Sequence, residues 1–203
     1  MTNNQFLTKI LNNSYNFFFK KFNNINLDKK EDKILVKQNL KHIKNSTALQ
    51  TSWLLNLKRL YILTNKNIDI SDYHFLDVGC GNGIPLIYAY KNLNFKSYAG
   101  FDFVSKYLKT TKKNIKSSIG TNKILVFNSD AAKIKLSNKS YFIFMFNPFD
   151  EKIMRKFIKN NLKNLKKNKS VIAYSNYNQL QVVKKYSKKI SIIKRYKLAS
   201  CFF

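Results

Sequence analysis

An α/β fold is what this sequence predicts: a mostly parallel, seven-stranded sheet that ends in an antiparallel C-terminal hairpin and is preceded by N-terminal helices. Three observations predict it. From residue 73 onward, short apolar runs alternate with amphipathic stretches, the pattern of βαβ units and a parallel sheet. One such run, Phe75-Leu76-Asp77-Val78, passes directly into Gly79-Cys80-Gly81-Asn82-Gly83, a strand-to-helix turn stripped of side chains at every second position. The last two apolar runs are separated by only about two residues, too few for a crossover and enough for a hairpin.

Taken in order, strands are expected at 74–78, 97–102, 124–128, 141–146, 171–176, 189–194 and 196–203, with helices at 84–93, 104–117, 151–167 and 178–187. Pro85 suits the first turn of the helix after the glycines, where its missing donor would be unpaired anyway. Residues 71–203 form the main domain in this reading, and residues 1–70 a helical extension packed on it. In that extension Phe6, Leu7, Ile10, Leu11, Phe18 and Phe22 recur at roughly helical spacing between Lys and Asn, which predicts a helix docked on the domain. An amphipathic targeting or membrane-surface segment is the alternative, and the lack of Arg argues against a transit peptide. Trp53-Leu54-Leu55 through Leu63 reads as a second helix, leading into the first strand.

At 203 residues the chain suits one domain with a sizeable core, and 44% hydrophobic content argues against disorder. No apolar run approaches the length of a membrane span, and no secretory leader is recognisable. Cys80 and Cys201 lie far apart and neither has a partner at metal-ligand spacing, so the default is a reducing, cytoplasmic setting and no metal. The net charge of +28 would attract nucleic acid. Against that, only Arg59, Arg155 and Arg195 among the 38 basic residues are Arg, the better fork for phosphates and base edges. The chain also carries 27 Asn, and its Lys, Asn, Ile, Phe and Tyr share A/T-rich codons, so coding bias is sufficient to supply the lysines.

Four polar elements fall at the carboxyl ends of four strands, where open α/β sheets place their ligands. The first is Asp77 with Gly79, Gly81 and Gly83, a backbone able to press against a nucleoside-containing cofactor. The second, Asp102, stands 19 residues beyond Gly83, the distance at which an acidic side chain can accept from ribose hydroxyls. Capping the helix that starts near Val104 is its alternative role. The third is Asp130 with Ala131: a carboxylate for an exocyclic adenine amine and a backbone N–H for a ring nitrogen, or else a helix N-cap. The fourth is Asn147-Pro148-Phe149, a stiffened turn with a donor–acceptor amide and an aromatic face for an amine or a planar group, followed by Asp150 as cap of the next helix. His42 and His74 are isolated in sequence, and neither is assigned as a catalytic base.

DVGCGNG at 77–83, the downstream Asp102, SDA at 129–131 and NPF at 147–149 resemble the class I S-adenosylmethionine-dependent methyltransferases over residues 73–203. The resemblance implies a Rossmann-like three-layer sandwich whose last strand is reversed, with S-adenosylmethionine as cofactor. It also implies that Asp77, Gly79, Cys80, Gly81 and Gly83 line the methionine end of the cofactor, that Asp102 holds the ribose, and that Asp130 and Ala131 hold the adenine. The NPF turn is similar to the Asn-Pro-Pro-aromatic loop of methyltransferases acting on nitrogen, without the second Pro, and to the Asn-Pro-Phe turn of little-characterised bacterial members. Asn147, Pro148 and Phe149 are therefore the expected acceptor-side residues, with RNA, protein or a small amine as acceptor and a monomer as the working unit. Two other classes compete with this reading. A basic RNA-binding module without catalysis would bind with steep salt dependence and no cofactor affinity. An NAD-binding oxidoreductase suits Asp102, but not glycines spaced one residue short of the dinucleotide pattern.

Overall fold

The computed structural model describes residues 3–25 and 52–203. Seven strands form one sheet: β1 (His74–Val78), β2 (Ser97–Asp102), β3 (Ile124–Asn128), β4 (Tyr141–Phe146), β5 (Val171–Ser175), β6 (Lys189–Ile193) and β7 (Leu198–Phe202). Their order is β3-β2-β1-β4-β5-β7-β6, parallel except for β7, which runs against both β5 and β6. The expected hairpin is there, closed by a 3₁₀ turn at Lys194–Tyr196 and by Lys197 in the left-handed region. Its second strand inserts between β5 and the first. The expected strand and helix positions agree with the structure to within a few residues.

Six helices accompany the sheet among the described residues: α1 (Asn3–Phe22), α2 (Leu54–Asn65), α3 (Ile84–Asn92), α4 (Ser105–Ile119), α5 (Glu151–Lys167) and the short α6 (Leu180–Lys184). Side chains alternate across a strand, so β1 sends Phe75 to one face and Leu76 and Val78 to the other. Phe75, Phe142 and Phe144 join Leu54, Leu57 and Leu60 of α2 and Leu86 and Ile87 of α3 in one core. Leu76, Ile143, Met145 and Ile172 join Met154, Phe157 and Ile158 of α5 and Val182 and Val183 of α6 in the other. Because both faces are covered, β5 and β7 are buried at every position, as expected of central strands between two helical layers. Thr64 of α2 and Ser200 of β7 satisfy each other inside the first core, their hydroxyl oxygens 2.8 Å apart.

The helix expected near the N-terminus is present and docked, but not by the stripe that announced it. Phe6, Leu7, Ile10, Leu11, Phe18 and Phe22 all point outward, with Leu11 64% and Phe22 78% exposed. The docking face is polar and aromatic. Asn16 donates to the Ser52 carbonyl (2.9 Å) and accepts from the Leu54 N–H (3.1 Å), while Tyr15 and Phe19 set their rings edge-on to Tyr88 of α3. Arg59 of α2 donates to Asn56 and Asn12 and lies 4.0 Å above the Tyr196 ring, tying α1, α2 and the hairpin turn together. The physical reason is that the start of α2 offers unpaired backbone groups, and an asparagine satisfies both a donor and an acceptor there where a leucine satisfies neither. The rest of the helical expectation for 1–70, at residues 1–2 and 26–51 and including His42, lies outside the described residues. His74 sits at the amino end of β1, opposite the strand ends that carry the four polar elements, with its Nδ1 2.6 Å from the Ser97 hydroxyl.

Candidate active site

The turn between β1 and α3 is built from three left-handed glycines: Gly79 at φ +72°, Gly81 at +51° and Gly83 at +77°. Side chains in that region are strained, and crowding adds to the demand at two of these positions. A Cβ on Gly79 would lie 3.0 Å from the Pro148 Cβ, and one on Gly83 would lie 2.6 Å from the Thr111 methyl. The N–H groups of Gly79 and Cys80 both donate to the Phe101 carbonyl at 3.0 Å, which ties the turn to the end of β2. Gly100 lets them close up, because a Cβ there would meet Leu86 at 2.9 Å and Cys80 at 3.0 Å.

Two carboxylates are buried beside this turn, and their surroundings differ. Asp102, at the end of β2, accepts the Gly81 N–H (3.0 Å) on one oxygen and the Val104 N–H (2.9 Å) on the other. Burial raises its pKa, and these N–H groups pull it back. Asp77, at the carboxyl half of β1, is 3% exposed, and its Oδ2 has no hydrogen-bond partner. Burial first, and then repulsion from Asp102, push its pKa up to about 8. Such an orphaned buried oxygen is costly unless a ligand completes it. A cationic group reaching Asp77 over the glycine backbone would do so, which fits the amino group at the methionine end of S-adenosylmethionine. The Cys80 thiol is buried in the same place. Desolvation chiefly, with the two carboxylates adding, pushes its pKa well up, so it packs as a neutral thiol.

The other expected residues line the neighbouring strand ends. Asp130 lies two residues past β3 and is half-buried; its Oδ1 accepts the Ala132 N–H at 2.8 Å, while its carbonyl accepts from Lys133 and Ile134. This is the capping geometry of an Asx turn, and it orients the carboxylate. Ala131 is buried beside it. Asn147, just after β4, adopts φ +43°, a conformation Asn tolerates better than most residues. Its Oδ1 lies 3.2 Å from the hydroxyl of the buried Tyr174 on β5, which donates to it. Pro148 is the residue that meets Gly79. Phe149 is 7% exposed, with its ring against Phe157 of α5, so it supports the turn from below instead of displaying an open face. Asp150 caps α5 by accepting the Ile153 N–H at 2.9 Å, as the sequence suggested.

Three contributors were not legible beforehand: Thr111 and Asn114 of α4, which bond to carbonyls of the glycine turn, and Tyr174. Nothing in the local sequence marks them, because their partners lie about 30 residues away and belong to other elements.

A methyltransferase-domain family model matches residues 75–168, the segment that runs from β1 through α5. Among curated proteins, none matches the chain in sequence. Solved structures do resemble it in fold. An RNA methyltransferase from Salinibacter ruber in complex with S-adenosyl-L-homocysteine is 11% identical with a TM-score of 0.57, over 76% of this chain and 93% of that one. A putative RNA methyltransferase from Pyrococcus horikoshii is 16% identical with a TM-score of 0.55, over 87% and 97% of the two chains. A ribosomal protein L11 methylase from Lactobacillus delbrueckii subsp. bulgaricus is 19% identical with a TM-score of 0.52, over 71% and 76%. At these identities the likeness is one of architecture alone. Residues 75–168, just under half of the chain, thus match a methyltransferase domain, and the sheet that contains them shares the Rossmann-like fold of these methyltransferases.

Proposed function

We propose that the glycine turn and the strand ends around it hold S-adenosylmethionine, and that the Asn147-Pro148-Phe149 turn presents a nitrogen of the acceptor to it. The unpartnered, buried Oδ2 of Asp77 carries this reading, since it is a polar atom without a partner beside a turn of three left-handed glycines. In this assignment Asp77 pairs with the amino group of the methionine moiety, and Gly79, Cys80, Gly81 and Gly83 supply the surface against which that moiety lies. Asp102, already anchored through two N–H groups, uses its remaining lone pairs for the ribose hydroxyls. Asp130 and the Ala131 N–H take the adenine.

When bound, the cofactor supplies a methyl group on a sulfonium for in-line displacement. The chain's own contribution is orientation, an effect that can reach roughly 7–11 kcal/mol in well-aligned systems. Asn147 and the Pro148 carbonyl accept hydrogen bonds from the acceptor amine and aim its lone pair across the turn. Tyr174 fixes the Asn147 amide, and Phe149 braces the turn from the core side. The residues named lie in one chain, so a monomer suffices. Free, buried Cys80 and Cys201 suit a reducing cytoplasm, and no helix among the described residues is long and apolar enough to cross a membrane.

An anionic acceptor such as RNA is favoured by one observation. α5 begins at the acceptor turn and carries Lys152, Lys156, Lys159, Lys163 and Lys166 along its exposed side, a cationic track leading away from Asn147. The two neighbours named above as RNA methyltransferases support the same choice. Calorimetric titration of the intact chain with S-adenosylmethionine and S-adenosyl-L-homocysteine tests the cofactor reading. Saturable heat with both supports it, and no heat up to about millimolar ligand would overturn it. A labelled-methyl screen over RNA, protein and small-amine fractions then identifies the acceptor; label in protein or amine alone removes the RNA assignment.

A further inference from the structure

Glycines give the cofactor turn its shape, but glycines alone also leave it loose. Two side chains of α4 remove that freedom. The Thr111 hydroxyl lies 2.5 Å from the Gly81 carbonyl oxygen and 3.0 Å from the Tyr107 carbonyl of its own helix. The Asn114 amide donates to the Asn82 carbonyl at 3.0 Å. Both side chains are buried almost completely. Since the Gly81 N–H is taken by Asp102, the Gly81 residue is held at both of its polar groups, and two successive carbonyls are drawn toward α4. The Thr111 methyl has its own task, filling the space in front of Gly83, where a Cβ would meet it at 2.6 Å. Thr111 therefore uses its hydroxyl on one glycine and its methyl on another; Ser keeps the first contact and Val the second.

We infer that Thr111 and Asn114 are positioning residues for the cofactor: they lock the Gly81 and Asn82 carbonyls so that the turn meets S-adenosylmethionine as a preformed surface. This inference rests on the cofactor reading given above. It assigns part of the cofactor affinity to two side chains whose bonds run to the turn.

The test compares cofactor affinity with the stability of the ligand-free protein. Thr111→Val keeps the shape and loses the donor, so affinity for both S-adenosylmethionine and S-adenosyl-L-homocysteine drops by about tenfold or more, because a loosened turn must be ordered at binding. Thr111→Ser keeps the donor and stays within about threefold of wild type. Asn114→Leu, which also loses a donor, weakens binding in the same direction. Melting temperatures of the ligand-free variants are recorded alongside. If Thr111→Val binds like wild type while melting earlier, or if Thr111→Ser loses as much affinity as Thr111→Val, the pair is merely structural and the inference falls. If Thr111→Val does not fold, the comparison of Thr111→Ser with Asn114→Leu carries the test: equal affinities overturn the inference, and weaker binding by Asn114→Leu supports it. Absence of binding by the wild-type chain would instead remove the cofactor reading itself.

Discussion

Helices α1 and α4 both attach to the body of the protein through buried polar side chains, yet their apolar residues have opposite fates. In α4, Leu108 and Ile115 are buried, and Thr111 and Asn114 sit among them with partners on the glycine turn. In α1 the polar pair Asn12 and Asn16 faces inward, and Phe6, Leu7, Leu11, Phe18 and Phe22 face out. Apolar periodicity thus finds a helix but does not say which side of it docks. Where the surface to be covered offers bare N–H and C=O groups, as the start of α2 does, an asparagine can be worth more than a phenylalanine.

Four substitutions probe these attachments and the turn that α4 holds, in decreasing order of consequence. Gly83→Ala forces a Cβ into the Thr111 methyl at a left-handed position, and should cost about 2–4 kcal/mol of stability and cofactor binding with it. Denaturant unfolding and titration check it; a wild-type melt would mean that α4 does not press on the turn. Asp77→Asn removes an ionisable group held at about 8 in the fold against 3.8 for an ordinary aspartate. Below about pH 4 both folded and unfolded chains hold that proton, so the contribution to stability is complete. As pH rises toward 8 the unfolded chain releases the proton first, and stability is lost. Thermal melts of the ligand-free wild type should therefore decline across that range. The Asn variant should decline less, melt several degrees higher at the alkaline end, and bind the cofactor more weakly. Equal slopes in the two proteins would refute the raised pKa.

Asn16→Leu deletes one donor and one acceptor from the α1–α2 junction and should cost about 1–2 kcal/mol, despite adding apolar surface. A neutral or stabilising result would show that polar pairing does not hold α1 in place. Phe22→Ser, on the outward side, should change unfolding free energy by no more than about 0.5 kcal/mol and improve solubility. A loss well beyond that would mean the side chain is covered in solution.

The sheet was legible because its signals are local. Strand ends, glycine turn, Pro85 and the Asp150 cap each follow from a few adjacent residues, and Asp77 and Asp102 stand where the sheet order brings the ends of β1 and β2 side by side. What stayed hidden depends on contacts between distant segments. Gly100 reads as an ordinary strand glycine until Leu86 and Cys80 are seen against it, and Thr111 reads as a polar residue on an amphipathic helix until it meets Gly81. Phe149 reads as a displayed ring, but α5 starts one residue after its cap and folds Phe157 over it. The outward stripe of α1 misled for the same reason: periodicity carries no information about the hydrogen bonds available on the opposing surface.

Gly79 and Pro148 meet with no room for one further carbon. In the assignment proposed above, donor and acceptor halves of the reaction therefore share a wall, and remodelling one presses on the other. A descendant of this enzyme that swapped its proline for something bulkier to admit a new acceptor would push on the cofactor's floor in the same stroke. Changes of acceptor are therefore best accommodated along the rim, where side chains can vary without touching that wall.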